Sequence, residues 1–523
     1  MRRRYGNLSL PASCGAAALV SVYDRAGIVE LVRALVARGH IIYATGGTAA
    51  HLRQHDIDAR DVGELTGFPS LFDGRVKTLH PRVFGGILFD RDDPAHADQA
   101  ATHGIPVIDT VVVNLYPFEA TVAREGATLE EAIEQIDIGG VALIRAAAKN
   151  FAHVTVVVDP DQYSLAGDPA GADAKARRLL ATRAFERTAE YDSSIARYLE
   201  AGLLARELPG SLALTMPLAT PLRYGENPQS RAAFYLPRTE TLPEQLGGKA
   251  LSYNNLLDLD ATLRLLVRAV PDAPAGLVRA AIVKHTVPCG VAERAAPHDA
   301  VRAALDADAV SAFGGIIALD GRVDAITAEA LGDFFLEIVA APEFDDDALA
   351  RLRCKKNLRI IRYDPRLPER LARELQVRSA LGGVLAEDDD PAAEPERWEI
   401  VSRRAPSEAE MRDVRFAWDV VRHVKSNGVV IARDGITRGI CAGQTNRVSA
   451  VAIAGERAGD GARGAACASD GFFPFADGLE AAADAGCTAI VAPKGSIRDA
   501  EVIAAADRRG VALVFSTHRY FLH

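Results

Sequence analysis

Apolar positions recur in two rhythms along the first part of the chain. Residues 17–23 form a short apolar run with β-branched members, residues 28–37 repeat apolar positions at helical spacing, and residues 41–43 read as strand again. Residues 110–113 and 154–158 are further buried-strand candidates. Short apolar runs separated by amphipathic stretches predict a doubly wound α/β fold, with parallel strands and helices on both faces. Such sheets bind ligands at the carboxyl ends of their strands. Residues 172–204 predict one long helix, or two closely joined, with Phe185, Tyr191, Ile195 and Tyr198 along one side. Turn-forming residues gather at 202–217, which places a boundary between a first domain, 1–208, and a second, 209–523. The second is again mixed α/β, with loops at 274–276 and 387–395, and its roughly 310 residues suffice for two packed subdomains. No repeat of fixed period is visible.

Composition narrows the functional classes. The 523 residues are 49% hydrophobic and 25% charged, an ordinary globular mixture. A formal net charge of -10 and an aromatic content of 6% argue against a nucleic-acid coat or a stacking platform. An acidic chain still captures phosphate where donors cluster locally. The six cysteines form no CxxC pair and are read as reduced thiols. No apolar run reaches the length of a membrane span. The basic start, Met1 to Arg4, precedes an apolar stretch broken by Pro11 and Ser13 and is read as leading into the first strand, not as a signal peptide. The expected location is the cytoplasm.

Candidate chemistry begins at Thr45-Gly46-Gly47-Thr48, between a strand and a helix. Glycines there turn backbone amides inward, hydroxyls add donors, and the helix start adds positive potential, which together suit a phosphate; the plain alternative is a tight turn. Asp73-Gly74-Arg75-Val76-Lys77-Thr78-Leu79-His80-Pro81 is more specific, because it packs two cations, a hydroxyl and an imidazole into one short stretch. Asn114-Leu115-Tyr116-Pro117-Phe118, Asp137-Ile138-Gly139-Gly140 and Arg145-Ala146-Ala147-Ala148-Lys149-Asn150 follow in order. The second domain opens with Arg223-Tyr224-Gly225-Glu226-Asn227-Pro228 and continues with Leu251-Ser252-Tyr253-Asn254-Asn255. Lys284-His285 stands after an apolar strand and before Pro288-Cys289-Gly290, a cation and a base at the edge of a cleft. Pro288-Cys289 echoes part of the zinc-deaminase signature, but the HxE and PCxxC elements are missing, so no catalytic metal is expected. Ser311-Ala312-Phe313-Gly314-Gly315, Lys425-Ser426-Asn427, residues 443–447, 469–475 and 495–499, and Arg519 complete the series.

In this order and spacing the motifs resemble the inosine monophosphate cyclohydrolase domain over residues 15–205 and AICAR transformylase from about 215 onward. The resemblance implies a methylglyoxal-synthase-like first domain and a larger α/β region of two cytidine-deaminase-like subdomains without zinc. It further implies formyl transfer from 10-formyltetrahydrofolate to AICAR ribotide, then dehydrative ring closure of formyl-AICAR ribotide to inosine monophosphate. Ser21, Arg25, Thr45, Gly46, Gly47, Thr48, Arg75, Lys77, Thr78 and Asn114 would hold the ribotide in the first half, with Tyr116, Asp137 and Lys149 around the reacting atoms. Lys149 would stabilise the formyl oxygen, Asp137 would accept the amide proton, and Tyr116 would orient or relay. In the second half His285 would be the base and Lys284 would stabilise the oxyanion or protonate the leaving folate nitrogen. Arg223, Tyr224, Asn255, Gly314, Glu337, Asn427 and Arg519 would contact the ribotide, and Arg447 and Asp470 the folate. A homodimer with shared transformylase sites is also implied, with no nucleic-acid or membrane partner. The chain departs from the family pattern at Arg25, Val141-Ala142, Gln229-Ser230, Val287, Ala476 and Lys494. Two alternatives therefore stand beside the enzyme: a ribotide-binding protein, or a cyclohydrolase with an impaired transformylase half.

Overall fold

The computed structural model describes residues 16–69, 71–72, 76–167, 173–201, 208–269, 276–388 and 395–523. The chain divides into two compact units, residues 1–217 with 237–240, and residues 218–236 with 241–523.

The first unit is built on five parallel strands, β1 (Ala17–Ser21), β2 (Ile41–Ala44), β3 (Ala59–Asp61), β4 (Ile108–Val113) and β5 (Thr155–Val157), in the order β3-β2-β1-β4-β5. Strands of Ala, Val, Ile and Leu buried on both faces explain why the sequence shows runs here and not alternation. The helix Ile28–Ala37 stands where the periodicity predicts it, and buries Ile28, Leu31, Val32 and Leu35. The long helix is one element, Ala174–Ala201. Strand order reverses between β1 and β4, so a crevice opens at their carboxyl ends.

The second unit has a β6 (Leu218–Leu222)/β7 (Ala232–Tyr235) hairpin, then β8 (Glu244–Gly247), β9 (Val278–Lys284), β10 (Val287–Arg294), β11 (Ile316–Leu319), β12 (Ile338–Ala341) and β13 (Arg359–Arg362). A second hairpin, β14 (Gln376–Ala380) and β15 (Gly383–Glu387), leads to β16 (Trp398–Ile400), β17 (Val429–Arg433), β18 (Ile436–Cys441), β19 (Ala466–Ser469), β20 (Ala489–Pro493) and β21 (Ala512–Ser516). Twelve of these strands form one sheet, ordered β16-β21-β20-β19-β17-β18-β10-β9-β11-β12-β13-β8.

That order is symmetric about the β18–β10 contact. Each side runs edge strand, three parallel strands, then an antiparallel hairpin that meets its counterpart at the centre. The duplication lies in topology, which is why a search for a sequence period misses it. Each half also places a glycine of its central strand against a helix backbone. A Cβ on Gly290 would stand 2.1 Å from the Ala304 carbonyl oxygen, and one on Gly439 2.1 Å from that of Ala454. The sheet's faces are filled by separate apolar clusters, one around Trp418 and two beneath the outer helices of the halves.

Close approach of helix to sheet at these two glycines makes them sensitive to one added methyl. Gly290→Ala and Gly439→Ala are each expected to destabilise the second unit by about 1–3 kcal/mol, the usual range for overpacking. Urea unfolding of the full chain should show a lower midpoint for that unit's transition and an unchanged slope.

Candidate active sites

In the first unit, strand ends and the turns after them enclose a cavity of about 1080 Å³ lined by Ser21, Arg25, Thr45 to Thr48, Lys77, Thr78, Asn114, Tyr116 and Asp137. Local bonds fix its wall. The Ser21 and Thr45 hydroxyls lie 3.1 Å apart, and the buried Thr48 hydroxyl bonds both the N–H and the carbonyl of Val22 at 3.1 Å. Asn114 Oδ1 accepts from the N–H groups of Tyr23 and Asp24 at 2.6 and 3.0 Å.

Helix Gly46–Arg53 starts at this wall without a side-chain cap on its first amides. Two cations converge over its first turn. A Cβ on Gly46 would lie 2.8 Å from Lys77 Nζ, and one on Gly47 3.0 Å from Arg25 Nη2. Lys77 also lies 3.6 Å from Asp61 Oδ2. Free helix amides, two hydroxyls and two cations are the donor set of a phosphate site.

Asp137 stands across the same cavity. Its Oδ1 accepts the Gly140 N–H at 2.7 Å, at the start of helix Gly139–Lys149. Burial raises the Asp137 carboxyl above the usual carboxylate range. Burial also raises the Tyr116 phenol, with Asp137 adding to the shift. The fully buried Tyr191 hydroxyl donates to the Gln135 carbonyl at 2.6 Å and accepts the Asp137 N–H at 2.9 Å, which pins the segment that carries the carboxylate.

Lys149 is placed elsewhere. It ends the helix that begins beside Asp137, is exposed, and does not line the cavity. Ten residues at ~1.5 Å rise put it about 15 Å along the axis from Gly139. The lysine that does reach the cavity in this unit is Lys77. Arg75 lies outside the described residues.

In the second unit Lys284 and His285 line a cavity of about 650 Å³ with Val287, Cys289, Asp308, Ser311, Arg438 and Arg457. Lys284 Nζ donates to the Phe313 carbonyl at 2.7 Å. Burial pushes the Cys289 thiol up to about 11, so it is no thiolate nucleophile near neutral pH. Arg457 donates to the Ile440 carbonyl at 2.7 Å, whereas the buried Nε of Arg438 has no partner among the described residues. Both arginines escaped the sequence reading because they come from the distant β18 and the helix Arg447–Ala458.

A second cavity, of about 370 Å³, is lined by Asn427, Arg447, Phe472, Phe473, Phe475 and Phe521. Phe473 is core, whereas Phe475 is exposed. Arg447 pairs with the fully buried Asp470 at 2.5 Å, and Asp470 Oδ2 has no partner among the described residues. Asn427 Nδ2 donates to the Gln444 carbonyl at 2.8 Å.

The other anticipated contacts are spread around the second unit. The guanidinium of the exposed Arg223 lies 4.7 Å from the Tyr224 ring centroid, and that of Arg519 4.7 Å from that of Phe521. The Asn255 side chain closes a capping box with Ser252. Gly314, at φ 78°, donates its N–H to the Phe335 carbonyl at 2.8 Å, and Glu337 pairs with Arg359 at 2.5 Å. Among the described residues the one cluster with metal-ligand spacing is Asp90, Asp92 and His153, and none of its members lines these cavities.

Two family models match the chain: the MGS-like domain over residues 27–142 and the AICARFT/IMPCHase bienzyme over residues 147–457. Curated relatives match over nearly the full length, each carrying the name bifunctional purine biosynthesis protein PurH. That of Chloroflexus aurantiacus is 50% identical over 97% of this chain and 98% of its own. That of Myxococcus xanthus is 48% identical over 97% and 100%, and that of Jannaschia sp. 46% over 97% and 98%.

The phosphate-type wall generates a measurable expectation. Removing one charge-assisted contact costs about 1.4 kcal/mol or more, which is tenfold in affinity. Lys77→Ala is expected to weaken binding of ribose 5-phosphate at least tenfold by calorimetry. Gly46→Ala, whose methyl displaces the same ammonium, should weaken it in the same direction.

Proposed function

The chain belongs to the AICARFT/IMPCHase bienzyme family, and on that premise we propose that each compact unit carries one of its two reactions. The protein is a bifunctional enzyme of purine biosynthesis, an AICAR formyltransferase and inosine monophosphate cyclohydrolase, acting at the last two steps of inosine monophosphate synthesis. The observation that carries the division of labour is the pairing of a phosphate-type wall with Asp137 in one cavity and of Lys284 with His285 in another.

In the first unit the ribotide phosphate sits over the amides of Gly46 and Gly47, between Lys77 and Arg25. Ring closure joins the carboxamide nitrogen to the formyl carbon, and one proton from that nitrogen and one from the formamido nitrogen leave with the formyl oxygen as water. An amide is a weak nucleophile, so geometry and proton removal dominate. Asp137 accepts the amide proton, and its raised basicity suits it to that step. Tyr116 orients the amide and the oxygen. Lys77 and Arg25 are the cations of the phosphate seat, and the resemblance gives stabilisation of the departing oxygen to Lys149.

In the second unit the AICAR amine attacks the formyl carbon of 10-formyltetrahydrofolate, and the folate nitrogen leaves with a proton. His285 removes the amine proton, and Lys284, anchored on the Phe313 carbonyl, faces the oxyanion. The aromatic cavity bounded by Phe472, Phe475 and Phe521 suits a planar heterocycle. Arg447, which lines that cavity, and its buried partner Asp470 are the proposed folate contacts. Arg223, Tyr224, Asn255, Gly314, Glu337, Asn427 and Arg519 are proposed ribotide contacts. A homodimer and a cytoplasmic location accompany this reading, and no helix among the described residues is long and apolar enough to cross a membrane.

Purified protein supplied with AICAR ribotide and 10-formyltetrahydrofolate should release both tetrahydrofolate and inosine monophosphate. His285→Ala should lose folate turnover by at least a hundredfold, within the ~10²–10⁴ typical of a general base, and still cyclise supplied formyl-AICAR ribotide. Loss of both activities together would undo the two-site assignment.

Asp137 must be ionised to accept a proton, so cyclisation falls as pH drops through its pKa. Burial raises that pKa above the ordinary 3.8, so the acid limb of the cyclisation rate should lie above pH 3.8. Asp137→Asn should lower the rate and remove that limb from the pH profile.

A further inference from the structure

We propose that Asp258 is a positioning residue for formyl transfer: its carboxylate holds the His285-Thr286 turn in a backbone shape those residues do not favour, and so aims Lys284 and His285 into their cavity. The proposal rests on the formyl-transfer reading of that cavity.

The turn joins β9 to β10 across the pair Lys284↔Val287, so only His285 and Thr286 lie between the strands. Their φ angles are 57° and 60°. Two positive φ values in a two-residue hairpin mark the I′ geometry, which strongly favours Asn-Gly, Asp-Gly or Gly-Gly. A β-branched threonine there is a steric outlier, and each such non-glycine residue costs about 1–3 kcal/mol. Such a shape persists where the surroundings over-determine it. Here the constraint comes from helix Tyr253–Arg264, whose Asp258 accepts the Thr286 N–H on Oδ1 at 2.7 Å and the His285 N–H on Oδ2 at 3.2 Å.

The other half of the sheet supplies an internal comparison. Asp434 and Gly435 join β17 to β18 with φ 56° and 63°. Asp413 accepts both of their N–H groups at 2.9 Å, Asp434 on Oδ2 and Gly435 on Oδ1. The supporting helices match as well. Each begins with a capping box, at Ser252 and at Ser407, and the clamping aspartate stands six residues after that serine. The two hairpins thus share fold, clamp and turn type. They differ in sequence: one carries the Asp-Gly that I′ geometry prefers, the other His-Thr. The half with the unfavourable turn is the half that presents Lys284 and His285 to a cavity. Where the turn cannot be chosen for its conformation, the carboxylate does more of the work of holding it.

The role is separable from simple electrostatics. A carboxylate that only tuned His285 by its charge would be needed whatever the turn's conformational preference. One that holds the backbone becomes dispensable once the turn adopts positive φ unaided, as it does with glycine in the second position.

Formyl transfer is therefore compared in the full-length protein, Asp258→Ala, Thr286→Gly and the double variant Asp258→Ala/Thr286→Gly. A misplacement of about 1 Å at reacting groups costs roughly a hundredfold in rate. The expected result is a kcat for Asp258→Ala about 30- to 100-fold below the unaltered protein, a KM for AICAR ribotide within about threefold, and a pH profile of unchanged shape. The double variant should regain at least tenfold of the lost kcat. A kcat for Asp258→Ala within threefold of the unaltered protein overturns the proposal, and so does a double variant no faster than Asp258→Ala. If Asp258→Ala alone does not fold, the double variant is set against Thr286→Gly. Agreement within about tenfold supports the backbone role, and a larger loss overturns it. An unaltered protein that consumes no 10-formyltetrahydrofolate overturns the underlying reading of the cavity, whereas an active one indifferent to Asp258 overturns only this proposal.

Discussion

A buried backbone N–H without a partner costs about 1–3 kcal/mol, and the turns that follow β-strands leave several of them free. Reactive side chains in α/β proteins are carried on those turns. In this protein the recurring answer is one side-chain oxygen group, brought from a neighbouring element, that accepts two adjacent amides. Asn114 does this for Tyr23 and Asp24 beside the first cavity, Asp258 for His285 and Thr286, and Asp413 for Asp434 and Gly435. Tyr191 does a related task with one hydroxyl, tying the Asp137 amide to the Gln135 carbonyl. Each of these satisfies the backbone and fixes the direction of the residues it holds.

Those links explain which parts were legible in the sequence. Strands and helices of the first unit were readable because burial on two faces makes apolar runs and burial on one face makes a helical stripe. Ser21, Thr45 to Thr48, Asn114 and Tyr116 were readable as one group because each sits at the carboxyl end of a strand and parallel strands bring those ends together. Lys149 was named by its motif, and the rise of the helix Gly139–Lys149 carries it along the axis away from Asp137. Asp258, Arg438 and Arg457 act across tertiary contacts that the local pattern does not announce, and Tyr191 was legible as part of a helical stripe but not as the partner of the Asp137 segment. Asp258 had a faint signal. The Ser252/Asn255 capping box marks its helix, and a His-Thr pair between two apolar runs marks a hairpin that lacks its usual residues.

The duplicated half-sheets are held to one another by more than strand pairing. The buried Arg279 on β9 reaches Glu293 on β10 at 2.8 Å and Asp419 at 2.6 Å, and Asp419 belongs to helix Glu408–Val421 of the other half. The same Asp419 accepts the Ala269 N–H at 3.0 Å. A buried arginine with two carboxylates adds little net stability compared with an apolar substitute, but removal of one partner leaves an uncompensated charge and costs about 3–5 kcal/mol. It joins β9 of one half to a helix of the other. His423, one turn beyond Asp419, is pushed down to about 4 by burial and stays neutral, so it adds no further cation to that centre.

That tie between the halves matters because the Lys284/His285 cavity lies on their seam. One wall comes from the first half, residues 284–285, 287–289 and 307–311, and the other from residues 438–440 and Arg457 of the second. The seam is also where the two clamped hairpins meet, since β10 and β18 are the central neighbours of the sheet. A duplicated fold gives each half one clamped turn, and only one of them has to carry chemistry. The Asp434-Gly435 turn keeps the sequence its backbone prefers, and its half contributes two arginines that face the shared cavity. The His285-Thr286 turn departs from that preference and contributes the cation and the base. Divergence of this kind needs a support that does not depend on the turn's own sequence. A helix that projects an aspartate at the same position in both halves provides it.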